Sequence, residues 1–196
     1  MTISTNTETE TTITDTGYLD THLMDASKSG HAVIVASMLA VGADVHADHD
    51  RALRMAAYHG HDEVVRLLLD AGADVNVHAG DALRYASEDG HDEVVRLLLA
   101  AGADVHAMDD RALQYASSHG RAEVVKLLIA AGADVHAGGD NALNAASFDG
   151  HTEVVKLLLA AGANANARDE YALRWAGDNG HDEVAKILAD WKEANK

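Results

Sequence analysis

The 196-residue sequence contains no cysteine, no proline and a single phenylalanine. Without cysteine the chain has no disulfide, no thiolate zinc site and no cysteine nucleophile. Apolar residues nowhere run on for the roughly 18 positions that a transmembrane helix needs. The first residues, MTISTNTETETTITDTG, lack the basic start and apolar block of a secretory signal. These features predict a cytoplasmic protein that does not associate with membranes.

Positive charge is also scarce. Lys and Arg number 15 against 32 Asp and Glu, which gives a formal charge of −17. Nucleic-acid binders gain affinity from Lys and Arg that neutralise phosphates, so nucleic acid would be repelled, as would an anionic membrane. The charge therefore predicts a neutral or basic protein partner, or else it only maintains solubility.

A period of 30 residues organises most of the chain. Arg51–Gly80 and Asp81–Asp110 share 19 identities in 30 positions, and glycines recur at the same spacing. Repeats of this length indicate stacked units that share one continuous core. We divide residues 17–196 into units 17–50, 51–80, 81–110, 111–140, 141–170 and 171–196. Residues 1–16 are rich in Thr and poor in apolar side chains, which predicts a disordered leader.

Each unit encodes two short helices. In unit 111–140, Asp110 is expected to cap the first helix, as are Asp20, Asp50 and Asp140 in their units. Gly120 is expected to end that helix in a left-handed conformation. The buried stripes are predicted to be Ala112, Leu113, Ala116 and Ser117 in the first helix, and Val124, Val125, Leu127 and Leu128 in the second.

The segments GHDEVVRLLLDAGADVN (60–76), GHDEVVRLLLAAGADVH (90–106) and GHTEVVKLLLAAGANAN (150–166) resemble ankyrin repeats. The resemblance covers about residues 17–196 and implies an all-α solenoid of about six helix-turn-helix units. It also implies protein binding through a concave face that the first helices form. The segment YALRWAGDNGH (171–181) is similar to the 30-residue repeats of ankyrin proteins encoded by giant DNA viruses.

The departures from the family pattern are regular. Ala stands at 52, 82, 112, 142 and 172, where the family has Pro, and the connection between units is about three residues shorter than usual. In the family that connection forms a β-hairpin finger that supplies part of the binding surface. Segments such as ADHDR (47–51) are too short for paired arms, so we expect plain turns. Binding should then depend more on the first helices.

Candidate contact residues are those that vary between units. In the family, the residues before the glycine that ends the first helix line the groove, and the first residues of these helices vary as well. Tyr58 and Phe148 are the expected aromatic anchors; Met55, Tyr85, Tyr115 and Trp175 lie one residue deeper and are expected to pack between layers. The full expected contact set is Arg51, Tyr58, His59, Asp81, Glu88, Asp89, Arg111, Ser118, His119, Asn141, Phe148, Asp149, Tyr171 and Asp178.

No motif predicts catalysis, a metal site or a cofactor. In HDE at 61–63, 91–93 and 181–183, the His and Glu are two residues apart and point to different sides of a helix. We therefore interpret both as part of the start of a helix. Asp109–Asp110 is better explained by capping than by acid–base chemistry. No nucleophile triad and no Gly-rich phosphate loop occurs in the sequence.

The two ends of the repeat differ. Trp191 is expected to fold onto the last unit as a cap. In the first unit, HAVIVASMLAVG (31–42) contains no acidic or basic residue after His31, and Val33, Ile34, Ala36 and Ala40 replace or extend the usual polar face. A helix that is apolar on all sides is expected to be covered. The leader could cover it through Ile13, Tyr18 and Leu19, or a second copy could do so in a homodimer, or it could remain a modest exposed patch.

These observations favour a non-enzymatic scaffold that binds a polypeptide across the first-helix face. Two alternatives remain open. An acidic decoy would block a nucleic-acid-binding protein by mimicking nucleic-acid charge, and its binding would weaken steeply with salt. A designed or consensus repeat without a natural partner would explain the regularity of units 51–170, although the irregular first unit and the Thr-rich leader favour a natural gene.

Overall fold

The computed structural model describes residues 16–195, with side chains at every position except 168 and 169. Twelve α-helices and no strand occur in this range. First helices pack on first helices of adjacent units, and second helices pack on second helices, so two rows form. The expected all-α solenoid of six helix pairs is therefore confirmed. The helices are α1 Thr16–Lys28, α2 Ala32–Ala40, α3 Ala47–Tyr58, α4 Asp62–Asp70, α5 Val77–Asp89, α6 Asp92–Ala100, α7 Ala107–Ser118, α8 Ala122–Ala130, α9 Ala137–Phe148, α10 Thr152–Ala160, α11 Ala167–Asp178 and α12 Asp182–Ala194.

One continuous core runs between the two rows of helices. In the fourth unit, Leu113 and Leu128 are both at most 1% exposed. Burying a side chain of this size contributes about 1.5–3 kcal/mol. The buried stripes of this unit are as expected at Ala112, Leu113, Ala116, Ser117, Val124, Val125 and Leu128, whereas Leu127 is half-buried. Because the first helices contribute mainly Ala and Ser beside one Leu, they approach one another closely.

A glycine ends the first helix for two reasons. Gly60 has φ +72°, and a Cβ there would lie 2.5 Å from Nδ1 of His91 in the next unit. His91 lies so close because its Nε2 donates to the carbonyl oxygen of Tyr58 at 3.0 Å. The same bond to the preceding unit is made by His61, His151 and His181, and by the Nε of Arg121. The HDE histidines thus tie adjacent units together.

The connections between units are left-handed turns. Asp48, His49 and Asp50 have φ values of 50°, 55° and 52°, and α3 continues from Arg51 as a right-handed helix. Left-handed backbone costs an L-residue about 1–2 kcal/mol, which Asp and Gly tolerate best. The described residues contain no hairpin arms, as expected, but the succession of three left-handed residues was not anticipated. Equivalent turns contain Gly80, Asp110 and Asp140 as their third residue.

The expectation that Asp50, Asp110 and Asp140 cap the first helices is wrong. Their left-handed backbone differs from the extended conformation of an N-cap, and all three residues are buried. The Asp50 carboxylate instead accepts the backbone N–H of Asp74, 24 residues later, at 2.9 Å. His46 Nδ1 lies 3.0 Å from the same oxygen.

Asp110 and Asp140 make equivalent contacts. Asp20 also fails to cap, since it lies inside α1, where its carboxylate accepts the N–H of Asp44. In the second unit Gly80 replaces the buried aspartate, and Asn76 supplies the acceptor for the N–H of Asp104 at 2.8 Å.

The two ends of the stack are built differently. At the C-terminal end, α12 continues to Ala194 without a glycine exit, and Trp191 packs half-buried against the core, as expected of a cap. At the N-terminal end, Val35 is the one residue of α2 that is fully buried. Apart from Thr16, which begins α1, the leader expected at residues 1–16 lies outside the described residues.

Candidate binding face

We call the first-helix face the surface that bears the expected contact residues of α3, α5, α7, α9 and α11. Tyr58 and Phe148 are 41% and 46% exposed, although each is large and apolar. Arg51, His59, Arg111, His119, Asp149 and Asp178 are exposed as well, and Asp81, Glu88, Asp89, Ser118, Asn141 and Tyr171 are half-buried. Most of the expected contact set is therefore accessible from solvent.

Two aromatic groups lie at opposite ends of this face. Near the N-terminal end, Tyr58 meets Tyr85 edge-to-face, with ring centroids 5.5 Å apart. Near the C-terminal end, Phe148 meets Trp175 edge-to-face at 5.6 Å, and Tyr171 stacks on Trp175 at 5.2 Å. Such pairs restrain the rings and leave their outer edges exposed. The structure thus brings Phe148 and Tyr171 together around Trp175, whereas Tyr58 belongs to a separate group.

A row of large side chains follows the stack and is interrupted once. Met55, Tyr85, Tyr115 and Trp175 occupy the same position in their first helices, and all four are half-buried. The fifth unit has Ala145 at this position. A hollow of about 260 Å³ opens there, lined by Arg111, Gln114, Tyr115, Ser118, Asn141, Asn144, Ala145 and Trp175. We call it the Ala145 hollow.

The Ala145 hollow brings together three of the expected contact residues, Arg111, Ser118 and Asn141. Sequence reasoning missed Gln114, Asn144 and Ala145 itself. The signal was present for Ala145, because it is the one small residue in a row of large ones. Asn144 is only 3% exposed and gave no comparable signal, since a buried amide cannot be recognised from the repeat pattern alone.

Arg84 places a positive charge on the face near the hollow. Arg84 bonds to Asp81 at 2.8 Å, and its guanidinium lies 4.0 Å above the ring of Tyr85. Burial opposes the charge of Arg84, but the hydrogen bonds to Asp81 and Tyr85 and the electrostatic attraction of these two groups together outweigh it and raise the pKa above its usual value. Arg84 also lies 5.6 Å from the ring of Tyr115, behind the hollow. Arg84 is thus a fixed cation in this part of the face.

Arg111 and Arg51 occupy the same position but differ in their partners. Arg51 bonds to Asp48 at 3.0 Å, and this bond lowers the pKa of Asp48 below its usual value. In the third unit Met108 stands at the position of Asp48, ahead of Arg111. Within the described residues Arg111 makes no ion pair, and its guanidinium lies 5.9 Å from the ring of Tyr115. Its charge is therefore available at the edge of the hollow.

The described residues contain no group of three or more His, Asp or Glu side chains placed to hold a metal ion. Several His side chains instead bond to a backbone carbonyl oxygen or to one carboxylate, as in His91 with Tyr58 and His46 with Asp50. Among helices in the described range, none is long and apolar enough to cross a bilayer.

A family model for ankyrin repeats, three copies long, matches residues 7–79, 23–109, 78–138 and 113–196. The chain belongs to the ankyrin repeat family. No curated protein matches it. Ankyrin repeats are generally protein–protein interaction modules and are typically not catalytic.

This ankyrin domain carries a second exposed apolar surface on α2. Val33 is 82% exposed and Ile34 is 45% exposed, and Ala36, Ala40 and Val41 are exposed beside them. Among the leader residues expected to cover this surface, Ile13 lies outside the described residues. Leu19 is instead part of the core, and Tyr18 is exposed beside His22, with ring centroids 3.8 Å apart.

Proposed function

We propose that this ankyrin repeat protein is a non-enzymatic scaffold that binds a polypeptide across the first-helix face. The observation that carries the proposal is the pair of exposed aromatic side chains, Tyr58 and Phe148, each held by a ring contact at one end of this face. Exposed, restrained aromatic rings are frequent energetic centres of protein interfaces. The first helices also pack more closely than the second helices, which supports a concave surface on this side.

The short connections support the same assignment. Within the described residues the turns at 47–50 and 107–110 contain no projecting arms. A partner that approaches the first helices is therefore not obstructed, and it also receives no help from fingers. We assign the binding energy to the first-helix residues themselves.

The test is the double substitution Tyr58→Ala with Phe148→Ala, assayed against a partner identified by affinity capture and mass spectrometry. Loss of two anchors should weaken binding by at least tenfold, since each hot-spot side chain contributes about 2 kcal/mol or more. Met108→Ala is the matched control, because Met108 is 49% exposed but lies on a connection. Unchanged affinity in the double variant would show that the face is wrongly assigned.

The charge of −17 supports an alternative, in which the protein is an acidic decoy for a nucleic-acid-binding protein. Three cations of the second helices lie within 4.0 Å of a carboxylate in the next unit: Arg66 with Glu93, Arg96 with Glu123, and Lys156 with Glu183. Binding to a decoy would weaken steeply with salt, whereas binding through aromatic anchors would change little. The partner itself is protein in both cases, and the charge disfavours nucleic acid. The absence of cysteine supports a cytoplasmic location.

We further infer that the exposed surface of α2 is covered in the intact protein, by the leader or by a second copy. Val33 and Ile34 are adjacent branched apolar side chains, and both are exposed. Adjacent exposed apolar side chains of this kind are typical of a surface that is covered by another segment or chain. Deleting residues 1–15 and substituting Val33→Glu distinguish the two. Lower stability at unchanged mass after the deletion supports the leader, and conversion of a dimer to a monomer by Val33→Glu supports self-association. A monomer whose stability is unaffected by either change contradicts both.

A further inference from the structure

The Ala145 hollow is smaller than typical small-molecule sites, and its size suits one side chain or a fragment that mimics one. Its volume of about 260 Å³ lies below the roughly 300–1,000 Å³ of small-molecule sites. It also exists for a local reason, since Ala145 stands where Tyr85, Tyr115 and Trp175 stand in neighbouring units. The space is that of a large side chain that this unit lacks.

The walls of the hollow are aromatic. Tyr115 borders it on the fourth unit and Trp175 on the sixth. Trp175 is already restrained between Tyr171 and Phe148, so it does not have to be ordered when a ligand binds. Walls of this kind favour an aromatic ring, which gains edge-to-face contacts in addition to burial of apolar area.

The remaining lining offers hydrogen-bond acceptors. Gln114 Nε2 donates to the carbonyl oxygen of Asp109 at 2.6 Å, and Asn144 Nδ2 donates to that of Gly139 at 3.2 Å. Each amide nitrogen is thereby committed to the backbone of a connection. Among the described residues neither amide oxygen accepts a side-chain hydrogen bond, so both can accept from a hydroxyl group.

The charge of the lining is positive, in contrast to the whole chain. Arg111 is its one ionised residue, and in the described part of the protein it makes no ion pair because Met108 stands where Asp48 pairs with Arg51. At physiological ionic strength charges beyond about 8 Å are largely screened. A carboxylate at the edge of the hollow is therefore attracted by Arg111, while acidic residues farther away than this distance have little effect on it.

We propose that the Ala145 hollow is a specificity pocket for a peptide. It takes one tyrosine side chain between Tyr115 and Trp175, and Arg111 binds a carboxylate next to that tyrosine. This inference rests on the proposed function, because it assumes that a polypeptide lies along the first-helix face. It adds the chemical class of the segment recognised there, which is a tyrosine followed or preceded by an acidic residue.

Two small probes test the pocket without a known partner. The first is p-cresol, which carries the phenol ring, and the second is 3-(4-hydroxyphenyl)propionate, which adds the carboxylate. The chain has two Trp residues, so the indole N–H region of a ¹⁵N-labelled sample reports on the hollow through Trp175 and contains an internal control in Trp191. Millimolar dissociation constants are expected for fragments of this size.

Both probes should shift the Trp175 signal in a saturable manner and leave Trp191 unchanged. The propionate should bind about two- to fivefold more tightly than p-cresol, the range expected for one exposed ion pair. Arg111→Gln should remove this difference and keep the affinity for p-cresol. Ala145→Tyr, which restores the side chain of the third and fourth units, should weaken both probes by at least tenfold, and Ala145→Ser should not.

An unresponsive Trp175 signal, or probe binding that survives Ala145→Tyr, overturns the proposal. If Ala145→Tyr does not fold, the comparison of the two probes in Arg111→Gln still decides whether Arg111 binds the carboxylate. The outcome is distinguishable from that of the proposed function. If a partner's affinity depends on Tyr58 and Phe148 but does not change in Ala145→Tyr, only the pocket proposal is contradicted. If its affinity changes with none of the three substitutions, the proposed binding face is contradicted.

Discussion

The substitution Asp110→Ala should destabilise the solenoid, although Asp110 carries a charge and belongs to a connection. Asp110 is 4% exposed, and its carboxylate accepts the backbone N–H of Asp134 at 2.8 Å. Hydrogen bonds to a charged group contribute about 1.5–3 kcal/mol. Asp110 also has φ 54°, a conformation that Ala adopts less readily, at a cost of about 1 kcal/mol. We expect the two losses together to lower the free energy of unfolding by about 2.5–4 kcal/mol.

Two further variants separate these contributions. Asp110→Asn keeps a side-chain oxygen and tolerates the left-handed backbone, so it should cost less than about 1 kcal/mol. His106→Asn combined with Asp110→Gly copies the arrangement of Asn76 and Gly80 in the second unit, where the amide oxygen replaces the carboxylate as acceptor. This double variant should recover stability to within about 1 kcal/mol of the original chain.

Urea unfolding followed by far-UV circular dichroism measures the global effect, with the slope compared between variants because repeat proteins can lose cooperativity. Hydrogen exchange of the Asp134 amide measures the local effect and should accelerate in Asp110→Ala alone. Equal losses in the Ala and Asn variants would show that the acceptor oxygen is not what stabilises the connection. Failure of the double variant to recover would show that the connection at Asn76 and Gly80 is stabilised in some other way.

Two other predictions concern the first helices. Gly60→Ala should cost at least about 2 kcal/mol more in thermal unfolding than Gly180→Ala, because both have similar positive φ but only Gly60 has a histidine ring at 2.5 Å from the added Cβ; equal costs would leave only backbone strain. Ser117→Ala should leave stability unchanged or raise it by about 1 kcal/mol, since its hydroxyl is buried without a partner. Ser147→Ala should instead lower stability by about 1 kcal/mol, because that hydroxyl donates to a carbonyl oxygen at 2.7 Å; the same sign for both would contradict this reasoning.

The helix pairs could be predicted because local patterns determine them. Leu113 and Leu128 recur with apolar neighbours at helical spacing, and a glycine such as Gly120 marks the end of each first helix. The connections could not be predicted in the same way. Asp at a helix start ordinarily indicates an N-cap, and the bond that Asp110 actually makes reaches 24 residues along the chain. Only the stacked structure brings those two groups together.

The candidate site was predictable in its outline and not in its shape. Variation between units identified Arg111, Ser118 and Asn141, because the scaffold does not fix these positions. The hollow that they share depends on Ala145, which is an ordinary helix residue in isolation. Ala145 is recognised as unusual only when it is compared with the residues at the same position in adjacent units. A missing side chain becomes a cavity only when the flanking walls are large and held in place.

The connections and the binding face are governed by different residues, and this separation is what allows the face to vary. Each connection is fixed by backbone and side-chain bonds made at its own side of the stack, such as Asp140 to the N–H of Asn164 at 2.7 Å. The histidines fix the spacing of adjacent units through backbone carbonyl oxygens, which every residue possesses. Neither set of bonds uses the side chain at the position of Ala145. That position can therefore change from Tyr to Ala to Trp along the stack without disturbing the fold.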